Sequence, residues 1–253
     1  MKFSANLGFL WSLMALPDAI REAKAAGFDA VECHWPYETP AGEVKNALDE
    51  TGLPMLGLNT VRGRPGENGL SALPGRESEA RAAIDQAIEY ASTTGTRAIH
   101  VMAGFAEGPE AHATFVENLK YARQAAPSDI MLLIEPLNRH DAPNYFLKTT
   151  QQAADILAEL DQTGVKLMFD CYHVGRTEGD IVTRFRALRP IIGHIQFASV
   201  PDRGAPDQGE VNYGFVLSEI VRSGWTRPLG AEYKPKAATS DSLGWLKTYR
   251  GIH

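Results

Sequence analysis

Short apolar runs alternate along the chain with longer segments in which apolar residues recur every three or four positions. A short apolar run is typical of a strand buried on both faces, and the three-to-four spacing is that of one face of a helix. The predicted strands lie at residues 1–6, 28–32, 53–58, 96–101, 131–135, 165–170, 191–196 and 228–232. The predicted helices lie at residues 18–26, 42–51, 77–92, 112–125, 149–160, 180–188, 213–221 and 242–249.

Strand and helix alternate to the end of the chain without a linker or a low-complexity segment. Such alternation indicates parallel strands joined by helical crossovers. Eight units close a barrel, and 253 residues is a usual length for one. We therefore predict the α/β class, with one (β/α)8 TIM barrel domain over residues 1–253. An open doubly wound sheet is the alternative, but no glycine-rich turn follows the first strand.

Glycine separates helix from strand at five places, which are Gly27, Gly52, Gly95, Gly164 and Gly224. A glycine just past a helix is typical of a left-handed cap, so these residues are predicted helix ends. The loops from strand to helix, such as 60–74 and 199–212, are longer than the joins from helix to strand. In a barrel the long loops surround the C-terminal ends of the strands, where active sites lie.

Composition narrows the partners that the chain is expected to have. A net charge of −6 and a pI of about 5.7 argue against binding to nucleic acid or to an anionic membrane surface. Cys33 and Cys171 form no disulfide framework, and we expect both to be reduced and buried. No apolar run approaches the roughly 20 residues of a membrane span, and the first residues lack a signal-peptide pattern. These features predict a cytoplasmic protein and leave homo-oligomer formation open.

Four of the later strands end on a side chain that carries oxygen. These side chains are Glu135, Asp170, Gln196 and Glu232. Brought together in a barrel mouth, the three carboxylates would repel one another, and a divalent cation removes that repulsion. Because all four ligands offer oxygen, we expect one Mg²⁺ or Mn²⁺ ion. The alternative is that each acid caps the helix after its strand, which does not explain Gln196.

Other polar side chains are expected near the same site. His173 follows Asp170 by three residues and is a candidate for substrate binding. His194, two residues before Gln196, is expected to lie one layer deeper and to orient a carboxylate. Arg203 is a candidate for gripping a substrate carboxylate, and Lys234 is the competing cation. Each of these residues has an ordinary structural alternative, such as a solvated loop position.

The motifs at these positions resemble those of the hydroxypyruvate isomerase family, within the xylose-isomerase-like TIM barrels. The resemblance runs from FSANL at 3–7 to EYKP at 232–235. Its most specific parts are IEPLN at 134–138, FDCYH at 169–173, GHIQ at 193–196 and RGAPDQGEVNY at 203–213. The residues at 6–11 and 34–35 depart from the family by forming a bulkier wall around the first two loops. That departure bears on substrate size.

The resemblance implies that Glu135, Asp170, Gln196 and Glu232 bind one divalent metal ion, with Glu135 and Glu232 as the acid/base pair. It also implies that His173 and Arg203 contact the substrate. A small hydroxy-oxo acid is the implied substrate, and the implied reaction interconverts hydroxypyruvate and tartronate semialdehyde (2-hydroxy-3-oxopropanoate). Proton transfer through an enediolate is the chemistry to expect.

Four alternatives stay open on the sequence. A 2-oxo-tetronate isomerase would use the same site on a substrate one carbon longer. A sugar 3-epimerase would need a roomier mouth and usually has His where Gln196 stands. A metal-dependent DNA-repair nuclease would need several metal ions and a basic face, which the net charge disfavours. A non-catalytic sugar-binding barrel would have no reason for two flanking glutamates.

Overall fold

The computed structural model describes residues 1–161 and 164–252. Within those residues eight strands alternate with nine α-helices. The strands are β1 Phe3–Asn6, β2 Ala30–Glu32, β3 Leu58–Asn59, β4 Ala98–His100, β5 Met131–Ile134, β6 Val165–Asp170, β7 Ile192–Phe197 and β8 Leu229–Ala231. The helices are α1 Leu16–Ala25, α2 Ala41–Thr51, α3 Glu77–Thr94, α4 Gly108–Ala125, α5 Thr150–Leu160, α6 Cys171–Thr177, α7 Ile181–Leu188, α8 Tyr213–Arg222 and α9 Gly244–Arg250.

All the strand pairings are parallel, in the order β2-β1-β8-β7-β6-β5-β4-β3. The ring closes where β2 meets the segment that leads into β3. There the amide of Cys33 donates to the carbonyl of Gly57 at 3.1 Å, and the amide of Asn59 donates to the carbonyl of His34 at 2.8 Å. The predicted (β/α)8 barrel is therefore confirmed.

Alternation along each strand decides which side chains enter the barrel. On β5, Leu132 and Ile134 belong to the main apolar core under the helices. Leu133 belongs instead to a small separate cluster with Ala98 and Met168. Because successive side chains point to opposite faces of a strand, the residue two positions beyond each of these three lies on the same inner face. Those residues are Glu135, His100 and Asp170.

The structure differs from the sequence prediction in three local features. β3 is only Leu58–Asn59, helix α4 begins at Gly108, and α6 is a helix where a loop was expected. Helix α6 follows β6 directly because Asp170 Oδ1 accepts a hydrogen bond of 2.8 Å from the Tyr172 amide, which caps its first turn. A seven-residue helix shows too little periodicity to be recognised from sequence.

The other fold-level expectations agree with the structure. All five of the glycines predicted to end helices have a positive φ. Cys33 and Cys171 are both buried free thiols. Among the described residues, no helix is long and apolar enough to cross a membrane.

The C-terminal helix α9 fastens to the barrel through one aromatic side chain. Trp245 is 1% exposed, and its ring lies 5.2 Å from the ring of Phe3 on β1 and 5.5 Å from that of Phe197 on β7. Its indole N–H donates to the Tyr233 hydroxyl at 3.2 Å. Trp245 thus joins the helix to two neighbours of β8 in the barrel.

We expect Trp245→Ala to lower the free energy of unfolding by about 3–5 kcal/mol, because it empties a buried aromatic site. Urea denaturation followed by circular dichroism measures the loss. Phe215→Ala is the matched control, since Phe215 is 52% exposed and a surface change of this kind costs about 0.5 kcal/mol or less. Equal losses in the two variants would contradict the assigned packing role.

Candidate active site

A cavity of about 310 Å³ opens at the C-terminal ends of the strands. Glu135, His173, Arg203, Glu232 and Lys234 are among the residues that line it. A cavity of this size accommodates a substrate of a few carbon atoms. The candidate site therefore lies at the face where active sites of barrel enzymes are found.

Three buried carboxyl groups converge beside this cavity. Glu135 follows β5, Asp170 ends β6 and Glu232 follows β8, and each residue is no more than 5% exposed. Because β6 and β7 lie between β5 and β8 in the barrel, the two glutamates flank Asp170. Glu135 Oε1 and Asp170 Oδ2 are buried without a hydrogen-bond partner among the described residues.

Glu232 is held by three side chains. Its Oε1 accepts from Asn6 Nδ2 at 3.0 Å and lies 2.7 Å from His34 Nε2, and its Oε2 is paired with the Arg203 guanidinium. His34 can approach because position 8 is glycine: a Cβ on Gly8 would lie 2.1 Å from the His34 ring. The Glu232 carboxylate is therefore fixed on both oxygens.

Arg203 is the counter-cation of the carboxyl cluster. Its Nη2 contacts Glu232 and lies 3.6 Å from Asp170 Oδ2. Its guanidinium carbon lies 4.9 Å from the ring centres of both Phe9 and Tyr172. The residue has a φ of 53°, in the left-handed region that few non-glycine residues adopt. Arg203 was expected to bind a substrate, and in the structure its guanidinium neutralises the protein's own acids.

His173 presents a hydrogen-bond donor to the site. Its Nδ1 accepts from the Asn138 amide at 2.9 Å and lies 2.8 Å from Asn138 Nδ2. The ring proton of the neutral imidazole must then be on Nε2. Nε2 lies 3.6 Å from Asp170 Oδ2 and 3.9 Å from Glu135 Oε1. Although these three residues are spaced closely enough to hold a metal ion, a protonated Nε2 donates a hydrogen bond and does not ligate.

Gln196 reaches the cluster from one layer below the cavity. Its Nε2 donates to Glu32 Oε1 at 2.9 Å, and its Oε1 is buried without a partner among the described residues. His194 Nε2 lies 2.6 Å from Glu32 Oε2, so the carboxylate that His194 orients is that of Glu32. Neither Gln196 nor His194 lines the cavity of about 310 Å³ described above.

Lys234 lies at the rim. Its side chain is exposed, and its amine lies 5.5 Å from the centre of the Phe9 ring. Its backbone amide donates to the Arg203 carbonyl at 2.7 Å. The two candidate substrate cations are thus adjacent, with Arg203 inside the site and Lys234 at the opening.

The surroundings push the pKa values of the two glutamates in opposite directions. Burial, together with the charges of Glu232 and Asp170, raises the pKa of Glu135 well above its ordinary value. Burial also acts on Glu232, but Arg203 and the hydrogen bond from His34 outweigh it and hold the pKa of Glu232 below its ordinary value. Burial raises the pKa of Asp170 to about 7. Two carboxyl groups whose pKa values are displaced in opposite directions are suited to act as an acid and a base.

Sequence reasoning missed three polar residues at this level of the barrel. Asn6, Glu32 and His100 are the last residues of β1, β2 and β4, and all are buried. His100 Nδ1 lies 3.4 Å from Glu135 Oε2. The rule that identified the residues of the later strands, a polar side chain at a strand end, would have found these residues as well.

Comparison with known proteins places this barrel in a family. The family model described as "Xylose isomerase-like TIM barrel" matches residues 20–249. A 2-oxo-tetronate isomerase of Cupriavidus necator is 42% identical, over 99% of both chains. A hydroxypyruvate isomerase of Escherichia coli is 36% identical, over 99% of this chain and all of the other. A Brucella melitensis crystal structure titled "AP endonuclease, family 2" superposes with a TM-score of 0.94 at 33% identity, covering 98% of both chains.

The chain therefore belongs to the xylose isomerase-like TIM barrel family. Its likeness to hydroxypyruvate and 2-oxo-tetronate isomerases extends over the full barrel and identifies it as an isomerase.

The buried imidazole of His100 makes a pH prediction. Burial lowers the pKa of His100 to about 3, against about 6.5 in an unfolded chain. Between these values the unfolded state binds a proton that the folded state does not, so this group makes stability fall as pH falls. Glu135, whose pKa is raised, acts in the opposite direction. We expect the wild type to lose about 1.4 kcal/mol more per pH unit than His100→Gln between pH 6 and 4.

Urea denaturation of both proteins over this pH range measures the difference. Both proteins are compared in a Glu135→Gln background, because His100 Nδ1 lies 3.4 Å from Glu135 Oε2 and replacing His100 would change the titration of that carboxyl group. The contributions of the more distant carboxyl groups are shared by both proteins and cancel. Parallel slopes would show that His100 is protonated in the folded protein.

Proposed function

We propose that this isomerase interconverts hydroxypyruvate and tartronate semialdehyde, with Glu135 and Glu232 as the acid/base pair. The observation that carries the proposal is that two buried glutamates, one directly after β5 and one directly after β8, face one small cavity. Moving a carbonyl group by one carbon requires a proton to leave one carbon and a proton to reach its neighbour. Two carboxyl groups on separate strands suit these two tasks.

We further propose that one divalent ion, Mg²⁺ or Mn²⁺, binds among Glu135, Asp170, Gln196 and Glu232. Three buried oxygens that have no hydrogen-bond partner within residues 1–161 and 164–252 support this assignment: Glu135 Oε1, Asp170 Oδ2 and Gln196 Oε1. An unpaired buried oxygen is costly, and oxygen donors of this kind suit a hard cation. When bound, such an ion acts as a Lewis acid on the substrate carbonyl.

The positions of the side chains support the following acid/base step. Either Glu135 or Glu232 removes a proton from the hydroxymethyl carbon of hydroxypyruvate, which gives an enediolate. The other glutamate, or the first one again, then returns a proton to the adjacent carbon, while the hydroxyl proton passes between the two substrate oxygens. The Nε2–H of His173 donates to the developing oxyanion, because its Nδ1 is committed to Asn138.

The substrate carboxylate requires a cation in a site that already holds several acids. Arg203 supplies it, since its planar guanidinium can bind a carboxylate through two N–H groups. With a divalent ion shared among the acidic groups, Arg203 is no longer their only counter-charge. Lys234 at the rim is the competing cation.

Three other substrates compete with hydroxypyruvate as candidates. The cavity of about 310 Å³ also fits a four-carbon 2-oxo-tetronate, so this remains the second candidate for the same chemistry. A ketohexose is disfavoured because Phe9, His34 and Trp35 form a bulky aromatic wall on one side of the cavity. DNA is disfavoured by the net charge of −6. A metal-dependent nuclease would also need several metal ions. In the described part of the chain, only one cluster of three His, Cys, Asp or Glu residues is spaced for a metal ion.

We expect Glu135→Gln and Glu232→Gln each to lower kcat for hydroxypyruvate about 10²–10⁴-fold, because each removes proton-transfer capacity at nearly constant shape. Steady-state kinetics with Mn²⁺ measure the loss, and circular dichroism checks the fold. Glu38→Gln is the matched control, since Glu38 is exposed on the loop after β2.

The same assay is repeated after treatment with EDTA, which should abolish wild-type turnover, and after Mn²⁺ is added back, which should restore it. Near-wild-type turnover in either glutamate variant would assign the proton transfer to another residue. Turnover that survives EDTA would remove the metal ion from the proposal.

Arg203→Ala should raise KM for hydroxypyruvate by about one to two decades, because a charge-assisted hydrogen bond is worth about 1.5–3 kcal/mol. The KM for dihydroxyacetone, a three-carbon ketose without a carboxylate, should rise much less. KM for both substrates, together with that of a 2-oxo-tetronate, tests this selectivity. An equal rise in KM for charged and neutral substrates would indicate that Lys234, not Arg203, binds the substrate carboxylate. Lys234→Ala is the parallel variant that tests this.

A further inference from the structure

A polar network centred on Glu32 lies beneath the candidate metal site. Glu32 ends β2, is 3% exposed and accepts from three side chains. Its Oε1 receives Asn6 Nδ2 at 3.1 Å and Gln196 Nε2 at 2.9 Å, and its Oε2 lies 2.6 Å from His194 Nε2. A buried carboxylate with three donors is well satisfied and therefore held in one position.

This network decides which way the amide of Gln196 faces. An ionised carboxylate can only accept hydrogen bonds, so Glu32 selects the NH₂ end of the Gln196 amide. The carbonyl oxygen must then point away from Glu32, and this Oε1 is buried without a hydrogen-bond partner in the described part of the chain. If the amide were turned over, it would present two hydrogens where a cation needs an oxygen.

Asn6 extends the same control to Glu232. Its Nδ2 donates to Glu32 Oε1 and, at 3.0 Å, to Glu232 Oε1. Its Oδ1 accepts from the Gly8 amide at 2.9 Å, which fixes the orientation of the Asn6 amide. One carboxylate on β2 is thus linked to a proposed metal ligand on β7 and to a proposed acid/base residue after β8.

The Glu32 carboxylate fits inside the barrel because the residue that faces it on β8, Gly230, has no side chain. A Cβ on Gly230 would lie 2.5 Å from Glu32 Oε1, 2.8 Å from Glu32 Oε2 and 2.8 Å from Gln196 Cγ. No φ restriction explains this glycine, since its φ is not positive. The absence of a side chain at residue 230 is therefore a steric requirement of the Glu32–Gln196 contact.

We propose that Glu32 is a positioning residue, which aims Gln196 Oε1 at the divalent ion and aligns Glu232 through Asn6. This role rests on the proposed function, because it presumes that the ion binds. Glu32 itself does not line the cavity of about 310 Å³ that would hold the substrate. It acts through its neighbours and does not transfer the substrate proton.

The test measures Mn²⁺ binding by isothermal titration calorimetry as well as turnover. Glu32→Gln should raise the Kd for Mn²⁺ about 10–100-fold, as is usual when the partner of a metal ligand is removed. It should lower kcat more than it raises KM, because the substrate contacts stay in place. Glu38→Gln, with the same change of charge at an exposed site, should leave the Kd for Mn²⁺ unchanged.

Two further variants separate positioning from general destabilisation. In a Gln196→Ala background, Glu32→Gln should weaken Mn²⁺ binding by less than about threefold, since effects through one shared contact are not additive. Glu32→Asp keeps the charge but draws the carboxylate back from Gln196 by one methylene group, so it should also weaken Mn²⁺ binding, and it serves in place of Glu32→Gln if that variant does not fold.

The outcomes distinguish this proposal from the one on which it rests. If the wild type binds no divalent ion, the proposed metal site and the positioning role both fail. If the wild type binds Mn²⁺ and Glu32→Gln binds it equally well, only the positioning role fails. Fully additive losses in the double variant would likewise show that Glu32 does not act through Gln196.

Discussion

The structure of the site depends on keeping four buried carboxyl groups close together. Glu32, Glu135, Asp170 and Glu232 are each no more than 5% exposed at one end of the barrel. Like charges in a site that excludes water repel strongly, and each must be compensated or neutralised. Glu32 is satisfied by three donors from side chains, and Glu232 by a guanidinium, an imidazole and an amide. Glu135 and Asp170 each keep one oxygen that no described residue hydrogen-bonds, and a cation would compensate these atoms.

The barrel geometry meets this constraint with few residues. Each carboxyl group lies at the end of a strand or one residue beyond it, and inward-facing positions of neighbouring strands meet in a layer. Two glycines clear space in that layer, Gly8 for the ring of His34 and Gly230 for the carboxylate of Glu32. Of the side chains that support the acids, Asn6 and His34 come from β1 and the loop after β2, whereas His194, Gln196 and Arg203 come from β7 and the loop after it. The proposed metal ligands come from β5 to β8.

Arg203 connects the electrostatics of the site to its specificity. The guanidinium is enclosed by two aromatic rings and contacts the acids of β6 and β8. A cation in this position lowers the energy of the acid cluster and can also attract an anionic substrate. Under the proposed function, this double use would reconcile a net charge of −6 with binding of a small acid. The same arrangement would be of little use to a nuclease, which needs a broad basic surface.

The sequence by itself determined the barrel, because alternating strand and helix patterns with glycine ends describe local structure that tertiary contacts reinforce. It also indicated Glu135, Asp170, Gln196 and Glu232, since their positions at strand ends are visible in one dimension. Only the tertiary structure decided that Glu32 on β2 pairs with Gln196 on β7, and that Arg203 contacts Glu232. These partners are separated by 164 and 29 residues, and their meeting depends on barrel closure and strand register. Those long-range contacts leave no local pattern in the chain.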